Sequence, residues 1–208
     1  MKRTFLIWFL MSWCMGAVCA KQHIRDVFKA MPDSIMPLLT ANDRADFIDF
    51  MDSKMKAVVT NKLEGKSEMT VLGDDFLSIE MSSQSTWQMK LLATSDTTSV
   101  LCVVRTVKAT EADSNITFYN PVTWEELDAK TFLPFIAAIQ PDELKSGMLN
   151  IIFRQAELMA DKSQIRFTTR MFKKEQLESG DEQLNPVSRV MLCEWRNTRF
   201  EVVDTPNE

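Results

Sequence analysis

The spacing of apolar residues changes character along the chain. Thr4 to Met15 are almost wholly apolar and carry no charge. From Ile24 the apolar positions recur at helical spacing, as Ile24, Val27, Phe28 and Met31. Pro32 ends that element, because it has no amide proton and disfavours helical backbone at Met31. A short segment follows, Ser34–Leu39, containing Pro37, which a helix tolerates only in its first turn. Thr40 then reads as an N-cap, with Asp43 as the acidic residue of the first turn. Ala45, Ile48, Met51 and Met55 continue at helical spacing, and Phe47 and Phe50 widen the apolar face. Helical structure is therefore expected, in pieces, from Ile24 to Ala57.

Beyond that point the period becomes that of strands. Met69–Leu72, Phe76–Met81, Thr86–Ala93, Ser99–Val107 and Asn115–Tyr119 are short runs separated by turn residues at 73–75, 82–85 and 95–97. They predict an antiparallel meander with one buried face. Thr123 and Glu126 have capping-box spacing and predict a short helix there. A second short helix is expected from Pro141 to Gly147. Strands resume over Leu149–Arg154, Gln164–Met171, Arg189–Arg196 and Arg199–Val203, with Asn197-Thr198 as a hairpin tip and Lys173–Gln183 as a polar helical crossover. The fold class is α+β: N-terminal helices packed on antiparallel sheet, in one unit or in two similar sheet subunits, 21–120 and 121–208. Leu101-Cys102-Val103-Val104-Arg105-Thr106 echoes Leu192-Cys193-Glu194-Trp195-Arg196-Asn197. The echo reads equally as an old duplication or as chance likeness between two strands.

The uncharged run at the start is explained by its flanks. Lys2 and Arg3 precede it, and Gly16, Ala17 and Ala20 follow. That order is a secretory signal peptide over residues 1–20, cleaved so that the mature chain begins at Lys21. The run is shorter than the roughly 20 residues that a permanent span needs. Cys19 is preceded by Val18, a poor match to a lipid-anchor site. No second long apolar run occurs, so no transmembrane segment is expected in the mature chain. The whole chain has 24 Lys+Arg and 29 Asp+Glu. Losing Lys2 and Arg3 leaves 22 against 29, a net charge of −7. An acidic chain without a basic cluster lacks the footprint of a nucleic-acid binder, and the balance also opposes adhesion to anionic lipid.

Phe28-Lys29-Ala30-Met31-Pro32-Asp33-Ser34-Ile35, Pro37-Leu38-Leu39-Thr40, Arg44 and Asp46-Phe47-Ile48-Asp49-Phe50 form a distinctive N-terminal block. With the closing Trp195-Arg196-Asn197-Thr198-Arg199-Phe200, it resembles a family of secreted proteins of unknown function from Gram-negative gut anaerobes. The resemblance covers most of the mature chain and implies no activity and no catalytic residue. Such endings usually turn at Asp-Gly, where this chain has Asn197-Thr198. Asp33-Ser34-Ile35 and Asp96-Thr97-Thr98 match the acceptor pattern for O-glycosylation in such bacteria, and Asn115-Ile116-Thr117 has the form of an N-glycosylation sequon.

Candidate chemistry is sparse. His23 is the single histidine, third in the mature chain. With the α-amine of Lys21 and two deprotonated amides it would give a square-planar site suited to Cu(II) or Ni(II). Otherwise it is a bystander on a frayed end. Nothing calls for a cofactor, since there is no Gly-rich phosphate loop and no Cys/His cluster. Asp43, Asp46, Asp49 and Asp52 recur every third residue. They read as the solvated face of an amphipathic helix, or as a source of paired carboxylates, with Asp46 and Asp49 the candidate pair. Alternation turns both mature cysteines, Cys102 and Cys193, towards the core. They read as two buried thiols, or as a disulfide if their Cα atoms lie within about 7 Å. The scattered methionines read as core filling or as the lining of an apolar site.

The leading function is a non-enzymatic periplasmic or surface protein of binding or structural role, which binds an envelope protein or a glycan or supports an assembly. Alternatives are a carrier of an apolar small molecule or lipid, and a carboxylate-dependent hydrolase.

Overall fold

A computed structural model describes residues 22–134, 149–176 and 182–204. Two helices, α1 (Ile24–Ala30) and α2 (Ala41–Asp52), precede a seven-stranded antiparallel meander. Its strands are β1 (Val58–Thr60), β2 (Lys66–Leu72), β3 (Phe76–Ser82), β4 (Ser85–Ala93), β5 (Ser99–Lys108), β6 (Ala112–Tyr119) and β7 (Glu126–Leu127). A four-residue helix, α3 (Ala129–Phe132), follows. The second sheet is built from β8 (Leu149–Leu158), β9 (Gln164–Gln176), β10 (Glu182–Arg196) and β11 (Arg199–Asp204), in the order β11-β10-β9-β8. This is the expected α+β fold with two antiparallel sheets.

The helices start and stop for local reasons. The Thr40 hydroxyl accepts from the Asp43 amide, and the Asp43 carboxylate accepts from the Thr40 amide, so α2 opens with a reciprocal capping box. Between the helices, residues 33–39 form turns instead of a helix. Arg44, 2% exposed, holds them by donating to the carbonyls of Met31 and Leu39 and to the Asp33 carboxylate. The helical stretch stops at Asp52, short of the expected Ala57, and Lys54 sits at φ 56°.

The meander has two buried faces where one was expected. Along β5, Leu101 and Val103 point into a core shared with the helices, among them Phe28, Phe47 and Ile48. Val100, Cys102 and Val104 point the other way, into a core shared with the second sheet and filled by Phe118, Phe167, Cys193 and Phe200. Each fully buried Phe contributes about 1.5–3 kcal/mol of hydrophobic stabilisation. The layers therefore stack as helices, sheet, sheet. A strand that is apolar on both faces is the sequence mark of a sandwiched position, and β5 carries it.

The second sheet is also tied to the first by polar bonds. Alternate amides of β8, from Arg154, Ala156 and Leu158, donate to the side chains of Asp113, Ser114 and Gln88 at 3.0, 2.9 and 2.9 Å. These bonds satisfy main-chain groups along an edge that would otherwise stand open.

Among the described residues, two of the expected helices are not found. At 123–126 the Asn120 side chain accepts from the Val122 and Thr123 amides, and Trp124 adopts φ 62°, a left-handed conformation that no helix accommodates. Glu126 then pairs with Tyr119 as part of β7, and the nearby helix α3 is capped by Asp128 instead. The polar stretch from Lys173 is likewise strand, with Lys173 opposite Asn185 and Gln176 opposite Glu182. A polar ribbon edge and a polar helix look alike in composition. The helix expected over Pro141–Gly147 lies outside the described residues. The Asn197-Thr198 tip is present, with φ of 49° and 67°, as a two-residue hairpin of that twist requires.

Candidate functional site

A cleft of about 240 Å³ opens where the β4–β5 hairpin meets the start of α1 and the β8–β9 turn. Leu91 and Ala93 line it together with polar residues from several segments. Gln22 comes from the strand of chain before α1, Asp75 from the turn before β3, and Ser163 from the β8–β9 turn. The hairpin itself supplies Ser95, Asp96, Thr97, Thr98 and Ser99.

Local hydrogen bonds fix this lining. The Ser95 hydroxyl accepts from the Thr97 and Thr98 amides at 3.3 and 3.1 Å, a serine turn that bends the hairpin tip. The Thr94 amide donates to the Thr98 carbonyl at 2.9 Å and closes the loop. Ser99 donates to the Gln22 amide oxygen at 3.0 Å, and the Ile24 amide donates to the Asp74 carbonyl at 2.9 Å, so the first described residues are seated on the meander. Trp195 of the second sheet donates its indole N–H to the Ala93 carbonyl and its main-chain amide to the Ser163 carbonyl, at 2.7 and 2.8 Å.

Behind the cleft lies Lys90, 1% exposed. Its Nζ is 3.3 Å from Asp75 Oδ1, 3.2 Å from the Ala160 carbonyl and 5.5 Å above the Phe76 ring. Asp75 is thus engaged as the counter-ion of a buried ammonium while its other side faces the cleft. The lining mixes carboxylate, amide and hydroxyl side chains with the apolar Leu91 and Ala93. It suits a hydroxyl-rich neutral group and disfavours an anion.

None of the sequence-nominated residues lines this cleft except the Asp96-Thr97-Thr98 motif. His23 is exposed at the N-cap of α1 and makes no side-chain capping bond; Lys21 lies outside the described residues. Asp46 is exposed, while Asp49 faces Lys29 at 3.8 Å and Asp52 pairs with Arg25 at 3.1 Å. Only the later half of the acid ladder of α2, Asp49 and Asp52, therefore meets the basic residues of α1. Asp33 of the other acceptor motif is bound by Arg44 and Lys62. Cys102 and Cys193 are free thiols buried in the same inter-sheet core. Burial pushes the Cys102 thiol far up and the Cys193 thiol up to about 12, so neither is a thiolate nucleophile near neutral pH. Among the described residues no group of three or more His, Cys, Asp or Glu side chains could hold a metal ion. No helix there is long and apolar enough to cross a membrane.

Sequence reasoning missed Gln22, Asp75, Lys90 and Ser163. Lys90 did leave a signal, as a lone charge inside the apolar run of β4. Gln22 and Ser163 left none, because only the folded topology brings them together.

The architecture defines a two-sheet α+β protein with helices on one outer face. Over residues 17–200 the chain matches the family described as protein of unknown function, DUF3256, and it belongs to that family. It is similar in fold to a domain of an uncharacterized protein from Porphyromonas gingivalis W83, at 22% identity and a TM-score of 0.63, over 88% of this chain and 99% of that one. No curated protein matches the chain.

Proposed function

We propose that this is an exported, non-enzymatic binding module of the cell envelope, and that the hairpin cleft receives a neutral sugar unit of an envelope glycan. The observation that carries the reading is the cleft's lining, in which separate segments bring Gln22, Asp75, Asp96, Ser163 and the hairpin hydroxyls together beside Leu91 and Ala93. At about 240 Å³ it falls below the ~300–1,000 Å³ of sites for drug-sized ligands, and so matches a single small unit. Sugar hydroxyls find donors and acceptors in the serine and threonine hydroxyls, Gln22 and Asp96. The leader-like run before residue 21 supports export, and with it a periplasmic or surface location.

The alternatives draw less support. A lipid carrier would need an apolar cavity, whereas Met31, Met36, Met69, Met81 and Met89 are buried in the helix-side core. A two-carboxylate hydrolase would need both acids available, whereas Asp75 is held by Lys90.

Titration of the mature protein with neutral monosaccharide glycosides tests the reading. Saturable binding that disappears in a folded Ser99→Trp variant, which fills the cleft, is expected. Binding unchanged in that variant would refute the cleft. Export is tested separately by the intact mass of the protein recovered from the envelope, expected to start at Lys21.

A further inference from the structure

We infer that Arg105 and its neighbours on the helix-side face of the first sheet form a second binding site, for the carboxylate of an acidic sugar. Arg25, Arg44, Arg166, Arg170, Arg196 and Arg199 each hold a carboxylate of the chain. Arg105 holds none among the described residues, in a chain with an excess of acids. Its guanidinium carbon lies 5.1 Å from the ring centroid of Trp87, directly opposite across the β4–β5 pairing. One terminal nitrogen donates to Thr117 Oγ1 at 2.8 Å, and the Thr117 hydroxyl donates on to Asn115 Oδ1 at 3.0 Å. Nε is buried without a hydrogen-bond partner. The cation is thus oriented by an aromatic face and one hydroxyl, while its other terminal nitrogen makes no hydrogen bond among the described residues and is not buried. A planar, pre-positioned guanidinium with spare donors is matched by a carboxylate.

The surroundings favour a sugar over a peptide strand. Trp87, Arg105 and Asn115 stand opposite one another on β4, β5 and β6, in ladders that occupy the main chain on both sides of β5. No main-chain edge is available here for strand addition, so recognition must use side chains. Trp87 and Arg105 are half-buried and Asn115 is exposed, so a ligand can reach the terminal nitrogens of Arg105 although not its buried Nε. Arg105 is six residues along β5 from Ser99, about 20 Å at ~3.3 Å per residue, so this site is separate from the hairpin cleft.

The test is NMR titration of the whole mature protein with methyl β-glucuronide, methyl β-glucoside and acetylglycine. Glucuronide is expected to shift the Arg105 Nε–H and Trp87 indole resonances, and glucoside to leave them in place. Arg105→Gln should abolish the response, and Arg105→Lys, which keeps the charge but loses the planar fork, should weaken it by about tenfold. No response to glucuronide, or an equal response to glucoside, overturns the site. So does undiminished affinity in Arg105→Lys, which decides the matter even if Arg105→Gln fails to fold. Acetylglycine binding as well as glucuronide overturns the assignment to a sugar.

Discussion

The ammonium of Lys90 donates to the carbonyl oxygen of Ala160 at 3.2 Å, joining the two sheets from a side chain that is 1% exposed. The same group pairs with Asp75 and lies over Phe76. Lys90→Met keeps the volume but leaves that carbonyl and carboxylate without their donor. It is expected to lower stability by about 1–3 kcal/mol in urea unfolding, the cost of stranding partly buried polar groups.

How much of this was legible in sequence can be judged from such residues. The Thr40–Asp43 start of α2, the inward-facing cysteines and the Asn197-Thr198 turn are local features, set by a few neighbouring side chains. The β9–β10 pairing, the second buried face of β5 and the cleft depend on contacts between distant segments. Lys90 and Ala160 are 70 residues apart, and no periodicity links them. Asp46 and Asp49 had the spacing of a pair, but their setting was decided by α1, whose Lys29 meets Asp49.

Acid should act partly through Asp33. The hydrogen bond from Arg44 is the main cause that holds its carboxyl below the usual carboxylate value. A carboxyl depressed in the folded state adds stability above its unfolded pKa, and that stability is lost as pH falls through the folded value. Asp33→Asn should therefore flatten the acid limb of the stability–pH curve while leaving its shape above pH ~6 unchanged. Melting temperatures collected from neutral pH downwards will show whether it does.

Arg44 itself should matter more than its ion pair. Arg44→Met strands the Met31 and Leu39 carbonyls as well as Asp33, and a loss of about 3 kcal/mol is expected. Asp33→Asn, with a half-exposed side chain, should cost far less. Equal losses in the two variants would show that the carbonyl contacts contribute little.

Thr198 carries a β-branched side chain at φ 67°. Thr198→Gly removes that strain and restores the preferred turn sequence, so a gain of about 1 kcal/mol is expected. Denaturant midpoints of the two proteins provide the comparison.

Cys102 and Cys193 are 0% exposed and free. Neither should react with a small thiol reagent in the native protein, and both should react in denaturant, at a native rate set by opening of the inter-sheet core. An unreduced mass lower by two hydrogens would show instead that the two are bonded.

The proposed occupant of the hairpin cleft is a neutral sugar. The most direct test of this is chemical-shift mapping of the mature protein with a panel of neutral glycosides. Shifts are expected to concentrate at Gln22, Asp75, Asp96, Thr98, Ser99 and Ser163. Shifts elsewhere on the surface, or none with any glycoside of the panel, would contradict the proposal.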